Sequence, residues 1–203
     1  MKVGILALQG AFREHREVLD ALDVDTVEVR VPEQLDALDA LILPGGESTT
    51  MSRLLGTAGL RVPLAARLAE GLPVFGTCAG MILLATEVAD GRPDQECFGV
   101  VDVTVRRNAY GRQRDSFEAP LDVSGLAVDG LRGGPFPGVF IRAPRIERVG
   151  GAVEVLAEHD GHPVLARQGA AVVASFHPEL SGDLRLHEWF LTATAGNRKS
   201  TTR

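Results

Sequence analysis

The chain has 203 residues, 45% of them hydrophobic and 24% charged, enough to bury a core of its own and too apolar for an intrinsically disordered chain. Its 21 basic residues against 27 acidic ones leave a formal charge of -6, so no basic field attracts a phosphate backbone and no nucleic-acid partner is expected. The two cysteines, Cys78 and Cys97, form no CxxC and can assemble neither a disulfide framework nor a zinc cluster, which fits a reducing, cytoplasmic compartment.

Residues 3–8 are a continuous apolar run, the pattern of a strand buried on both faces. Gln9, Gly10 and the charged stretch 13–17 follow too soon for a signal peptide or a membrane span. A helix is predicted over 11–22, a strand over 26–31, a helical turn over 32–38 and a buried strand over 40–43, stopped by Pro44. Helices over 48–55 and 64–70 precede another buried strand at 73–75 and an apolar helix over 79–84. Strands alternating with helices predict a doubly wound, mostly parallel sheet.

From Phe98 onward strands follow one another, at 100–105, 116–123, 138–142, 153–158, 164–167 and 171–176, and read as added antiparallel hairpins. Asp160 and Gly161 supply one two-residue turn. The stretch 125–138, rich in glycine and proline, predicts a surface loop. A closing helix over 183–194 precedes a polar tail over 196–203, so the organisation predicted is one domain over 1–195 and a fraying end.

Chemistry concentrates at three strand ends. In Gly76-Thr77-Cys78-Ala79-Gly80 a buried strand runs through a cysteine straight into a helix, which is the geometry of a nucleophile elbow. Glycine two residues either side allows the cramped turn and close backbone approach, and the amides opening a helix favour an anion there. A cysteine attacking a carboxamide needs a proton donor for the departing ammonia. Of five histidines, His15 and His187 are read as solvated helix residues, and His159 and His162 flank a hairpin turn. His177 differs, because it directly follows an apolar strand and precedes Pro178 and Glu179. A carboxylate two residues on can hold the imidazole in one tautomer.

The third strand end is Leu43-Pro44-Gly45-Gly46-Glu47-Ser48. Two glycines let an amide pair with that of Ala79 as an oxyanion hole, and Glu47 can hold a substrate ammonium. The same composition also fits a plain strand-to-helix turn with Ser48 as the cap.

These residues resemble the class I, or triad, glutamine amidotransferases. The start 4–11, the loop 43–50, the segments 107–113 and 115–119, and Val139-Phe140-Ile141-Arg142-Ala143-Pro144 are similar to one branch, the glutaminase subunits of pyridoxal phosphate synthases. The resemblance implies a three-layer α/β fold with Cys78 as nucleophile, His177 as base and acid, and Glu179 as its orienter. It implies that L-glutamine is held by Gly45, Gly46, Glu47, Arg107, Ile141 and Arg142, with amides of Gly46 and Ala79 as oxyanion donors. It further implies no metal or organic cofactor, and a separate pyridoxal 5'-phosphate synthase subunit, in a hetero-oligomer, that consumes the ammonia. The stretch 126–138 is longer than the family's usual link. Two alternatives stand beside this reading: an amidotransferase feeding another acceptor, and a non-catalytic protein whose Cys78 is oxidised reversibly.

Overall fold

A computed structural model describes residues 1–92, 95–107, 109, 116–123, 126 and 134–198. In chain order the elements are β1 Lys2–Leu6, α1 Phe12–Ala21, β2 Asp25–Val29, a 3-10 turn Pro32–Leu35, β3 Ala40–Leu43, α2 Ser48–Thr57, α3 Arg61–Ala69, β4 Val74–Thr77 and α4 Ala79–Leu84. They continue as β5 Ala85–Val88, β6 Val101–Arg106, β7 Phe117–Leu121, β8 Phe136–Phe140, β9 Arg145–Val149, β10 Glu154–His159, β11 His162–Gln168, β12 Ala171–Ala174, a second 3-10 turn Pro178–Leu180, and α5 Arg185–Arg198.

Among the described residues the central sheet has seven strands, ordered β10-β11-β12-β4-β3-β1-β2. Its β2-β1-β3-β4-β12 portion is parallel, and β10 and β11 extend it antiparallel. The expectation that strands after Phe98 form antiparallel hairpins therefore needs correcting at two places. The last strand, β12, returns to the centre and runs parallel to β4, because its four apolar residues are all buried and need a layer on each face. The unpredicted β5 continues out of α4 and pairs parallel with β6, which also takes the unpredicted β9 antiparallel. The hairpin β7–β8 is antiparallel as expected.

Strand alternation sends side chains to two cores. Leu41, Leu43 and Val74 meet α2, α3, α4 and the β5-β6-β9 sheet on one face. Ala40, Ile42 and Phe75 meet α1, α5 and the β7–β8 hairpin on the other. A sheet covered on both faces is the three-layer sandwich.

Several boundaries move for local reasons. α3 begins at Arg61, before Pro63, since proline is tolerated in a first turn where its missing N–H has no partner to lose. The loop predicted over 125–138 is shorter at its end, because Phe136, Pro137 and Gly138 pair in β8 and Phe136 is fully buried. Leu126 is also buried, and 127–133 lie outside the described residues. α5 runs to Arg198, past Gly196 where the polar tail was expected to start; 199–203 are likewise outside the description.

Candidate active site

The three strand ends converge on one edge of the sheet. β4 and β12 are parallel neighbours, and their pairing continues past the strands where the Cys78 amide donates to the Ala174 carbonyl at 2.8 Å. Three residues beyond Ala174, the His177 amide donates to Val139 of β8, also at 2.8 Å. Cys78 and His177 thus sit side by side because their strands do.

Cys78 takes φ 48°, a left-handed conformation that costs a non-glycine residue of order 1 kcal/mol or more. This strain turns its side chain out of the sheet at the point where α4 begins. The flanking glycines are required by contact. A Cβ on Gly80 would strike the Leu43 carbonyl of β3, and one on Gly76 would meet the Gly80 backbone at 2.7 Å.

His177 Nδ1 lies 2.7 Å from Glu179 Oε1. An ionised carboxylate only accepts, so Nδ1 carries the proton and Nε2 is left for the Cys78 side chain, to which the imidazole is also hydrogen-bonded. Burial opposes protonation of His177, but bonds to Cys78 and Glu179 and their negative charge outweigh it and raise its pKa to about 10. Burial likewise opposes ionisation of Glu179, yet neighbouring His15 and the bond from His177 hold its carboxyl below the ordinary value.

A cavity of about 250 Å³ opens over this pair, and Gly45, Gly46, Glu47, Arg107, Ile141 and Arg142 all line it, with Gly10 and Ala11. Neither Gly45 nor Gly46 has a positive φ; their value is the missing side chain. A Cβ on Gly45 would collide with the His177 ring, and one on Gly46 would meet Gln9 Oε1 at 2.5 Å. The Gly45 carbonyl accepts from the Ala11 amide at 2.9 Å. In a trans peptide the Gly46 N–H then points to the opposite edge, so this bond governs where the proposed oxyanion donor faces. Ala79, the first residue of α4, has an amide with no acceptor inside its helix.

The cap of α2 is Glu47 and not Ser48. Its carboxylate accepts from the amides of Thr49 at 3.0 Å and Thr50 at 2.6 Å and from the Thr50 hydroxyl at 2.6 Å. Partial burial works against ionisation, but these donors bring the Glu47 pKa down to about 2. Arg107 reaches Glu47 at 3.3 Å, the Thr49 hydroxyl at 3.2 Å and Gln95 Oε1 at 3.1 Å. Arg142 holds φ 47°, a second strained non-glycine residue on the cavity wall. Of the segment after Arg107, Asn108 and residues 110–115 lie outside the described residues.

Two readings are overturned. His15 and His187 are not solvated; both are 0% exposed and touch each other behind Glu179. Helical spacing carries the signal that composition hides: His15 lies three and four residues before buried Val18 and Leu19, and His187 three and four before Phe190 and Leu191. Gln9, whose Oε1 accepts from the Glu47 amide at 2.8 Å, and Gln95 are further supporting residues not singled out from sequence. Cys97 is set apart, since burial pushes its thiol up and its sulfur donates to the Ile82 carbonyl at 3.2 Å. Among the described residues no group of three or more His, Cys, Asp or Glu is placed to hold a metal ion, and no helix is long and apolar enough to cross a membrane.

The chain is 54% identical over 196 residues to the pyridoxal 5'-phosphate synthase subunit PdxT of Streptomyces coelicolor, covering 97% of this chain and 95% of that one. It is 56% identical over 189 residues to the subunit of the same name from Mycobacteroides abscessus, covering 93% and 95%. A crystal structure of a glutamine amidotransferase superposes with a TM-score of 0.87 at 51% identity, covering 95% and 98%. A chain of PurLQS from Thermotoga maritima, at 15% identity, shares the fold with a TM-score of 0.66 over 95% and 97% of the two chains. Residues 5–195 match the SNO glutamine amidotransferase family, and with these relatives the chain is a member of that family.

Proposed function

We infer that the chain is the glutaminase subunit that supplies ammonia for pyridoxal 5'-phosphate synthesis. It hydrolyses L-glutamine to L-glutamate and ammonia, and it works with a synthase subunit. The observation that carries the chemistry is the strained Cys78 elbow with the His177–Glu179 pair beside it and a cavity above.

The mechanism we propose starts from a Cys78 thiolate beside the His177 imidazolium. Sulfur attacks the side-chain carboxamide carbon of glutamine, and the carbonyl oxygen becomes an oxyanion facing the amides of Gly46 and Ala79. As the C–N bond breaks, His177 Nε2 gives its proton to nitrogen and ammonia leaves, with the acyl group held as a thioester on Cys78. Water then attacks the thioester, His177 taking its proton, and glutamate departs as the thiolate is restored. Glu179 keeps Nδ1 protonated throughout. Arg107 and Arg142 supply positive charge for the substrate carboxylate, while Gly45 and Ile141 shape the cavity and the Glu47 carboxylate faces the ammonium. We assign this catalytic unit to residues 1–195 as one domain. Free cysteines support a cytoplasmic setting.

The test is glutamate release from glutamine by the chain with its synthase subunit. Cys78→Ala abolishes release and leaves no acid-stable acyl adduct from labelled glutamine, whereas Cys97→Ala retains both. Turnover that survives Cys78→Ala, or that is lost with Cys97→Ala, overturns the reading.

A further inference from the structure

The mechanism above uses one oxygen of Glu179. The other, Oε2, points away from the cavity into a region with no exposed side-chain surface, where His15 Nε2 lies 3.4 Å away. That same His15 nitrogen is 3.1 Å from the Thr77 hydroxyl, one residue before the nucleophile, and His15 Nδ1 is 2.9 Å from His187 Nε2. The cluster joins three elements, two helices of one layer and the sheet: His15 comes from α1, His187 from α5, Thr77 from the end of β4. Burying a pair of imidazoles costs more than burying two apolar residues, so their presence at this point calls for an account.

The proton positions follow from counting donors and acceptors. Burial, the dominant influence, lowers the pKa of both histidines, that of His187 to about 3, so both are neutral and each carries one N–H. One of the two must donate across the 2.9 Å contact. If His15 Nδ1 donated, His187 would carry its proton on Nδ1, which meets no partner among the described residues. His15 Nε2 would then aim a lone pair at the Glu179 carboxylate. Both features are costly, since a buried N–H without an acceptor is the rarer and more expensive defect. In the reverse arrangement His187 Nε2–H donates to His15 Nδ1, and His15 Nε2–H donates to the Thr77 hydroxyl while facing Glu179 Oε2 at 3.4 Å. What is left over is acceptor capacity alone, on His187 Nδ1 and Glu179 Oε2, neither of which has a hydrogen-bond partner among the described residues.

We propose that His15, held in its Nε2–H tautomer by His187, is a positioning residue that orients the Glu179 carboxylate and thereby the His177 imidazole. The inference rests on the triad reading. The groups facing Glu179 are His177 on the cavity side and His15 behind it, with His187 in the next layer and the Glu14 carboxylate near His15 on α1. A neutral N–H facing Oε2 at 3.4 Å leaves the full negative charge for the imidazolium while restricting rotation of the carboxylate. Without it Glu179 ionises less readily, so the active form appears only at higher pH. Bonds polarised in one direction along the chain reinforce each other.

The experiment compares His15→Leu, which removes the donor, with His15→Gln, whose amide nitrogen extends about as far as Nε2, both in the complex with the synthase subunit. His15→Leu is expected to lower kcat on the order of 10- to 100-fold, the kinetic equivalent of one hydrogen bond to a charged group. KM for glutamine stays unchanged, the acid limb of kcat/KM moves to higher pH, and His15→Gln recovers most of both. A kcat loss with an unmoved acid limb and no recovery in His15→Gln marks a packing role and overturns the proposal. So does wild-type activity in a folded His15→Leu variant. The wild-type chain gives an independent check: imidazole 15N shifts must report neutral Nε2–H tautomers for both His15 and His187 at pH 7, and an Nδ1–H tautomer or a cation at His15 overturns it. His177→Asn separates the two levels of inference, since activity surviving that change sinks the triad itself, whereas its loss beside an unaffected His15→Leu sinks only the positioning role.

Discussion

Cys78 lies between two polar clusters that differ in their access to water. On the cavity side the Glu47 and Arg107 side chains are 46% and 19% exposed, and each has several partners to exchange. On the far side the side chains of His15 and Glu179 are fully buried, and His187 with them. An exposed ion pair is worth ~0–1 kcal/mol and is readily broken and remade, which suits residues that must receive a charged substrate. A buried acceptor that loses its donor costs ~1–3 kcal/mol, which suits residues that must not move. Acid and base are paired in both places, and solvent decides whether the pair adapts or holds.

Four substitutions probe this contrast, beginning with the largest effect. At the boundary between the clusters, His177→Asn removes the proton acceptor and donor together and lowers kcat by at least ~100-fold. Glu179→Gln, which disturbs orientation without removing the proton carrier, loses less. Steady-state rates at saturating glutamine decide the order, and an inverted order would place proton transfer on another group.

On the exposed side Arg107→Ala is expected to raise KM for glutamine by roughly 10-fold or more while kcat changes little, as for an interaction made equally in the bound and transition states. Added salt should weaken glutamine binding in the wild type and have less effect in the variant. A fall in kcat at constant KM would move Arg107 from substrate binding to the reacting centre.

The smallest effect is on stability. His187 has a pKa of about 3 when folded against 6.5 as an ordinary value, so below pH 6.5 the unfolded chain takes up a proton that the native state refuses. Stability is lost as pH falls through that window, by about 1 kcal/mol at pH 5.5 for this group. His15, also lowered, acts in the same direction. His177 acts oppositely: raised to about 10, it contributes stability present below pH 6.5 and lost as pH climbs toward 10. In His187→Leu the urea midpoint at pH 5.5 should rise relative to that at pH 7.5, compared with the same difference in the wild type. An unchanged difference between the two pH values would show that the site is not dry.

Much of this was legible in the residues. The elbow is written in Gly76, Cys78 and Gly80 because a strained turn leaves few choices for its neighbours, and a Cβ on Gly76 or Gly80 would clash with the backbone of Gly80 or Leu43. β3 and α4 begin and end where the apolar runs do. The parallel role of β12 was missed because a short apolar strand reads the same in a hairpin and at a sheet centre; only its neighbour β4 tells them apart. β9, with Arg145, Glu147 and Arg148 exposed or half-buried, lacked the apolar signal a short strand needs. Glu47 displaced Ser48 as the cap because its longer side chain curls back onto two amides, a matter of local geometry that composition does not rank.

By itself the sequence determined the alternation of strands and helices, the cysteine elbow and the place of the histidine after the last buried strand, because periodicity and turn chemistry are local properties of the chain. Tertiary structure alone decided which charges face water. His15 and His187 stand among Arg13, Glu14, Arg16 and Glu188 and look like surface residues, yet the packing of α1 and α5 on the sheet removes them from solvent. Whether an imidazole is a solvated side chain or a buried donor is set by what covers it, and the two imidazoles that meet here are 172 positions apart along the chain.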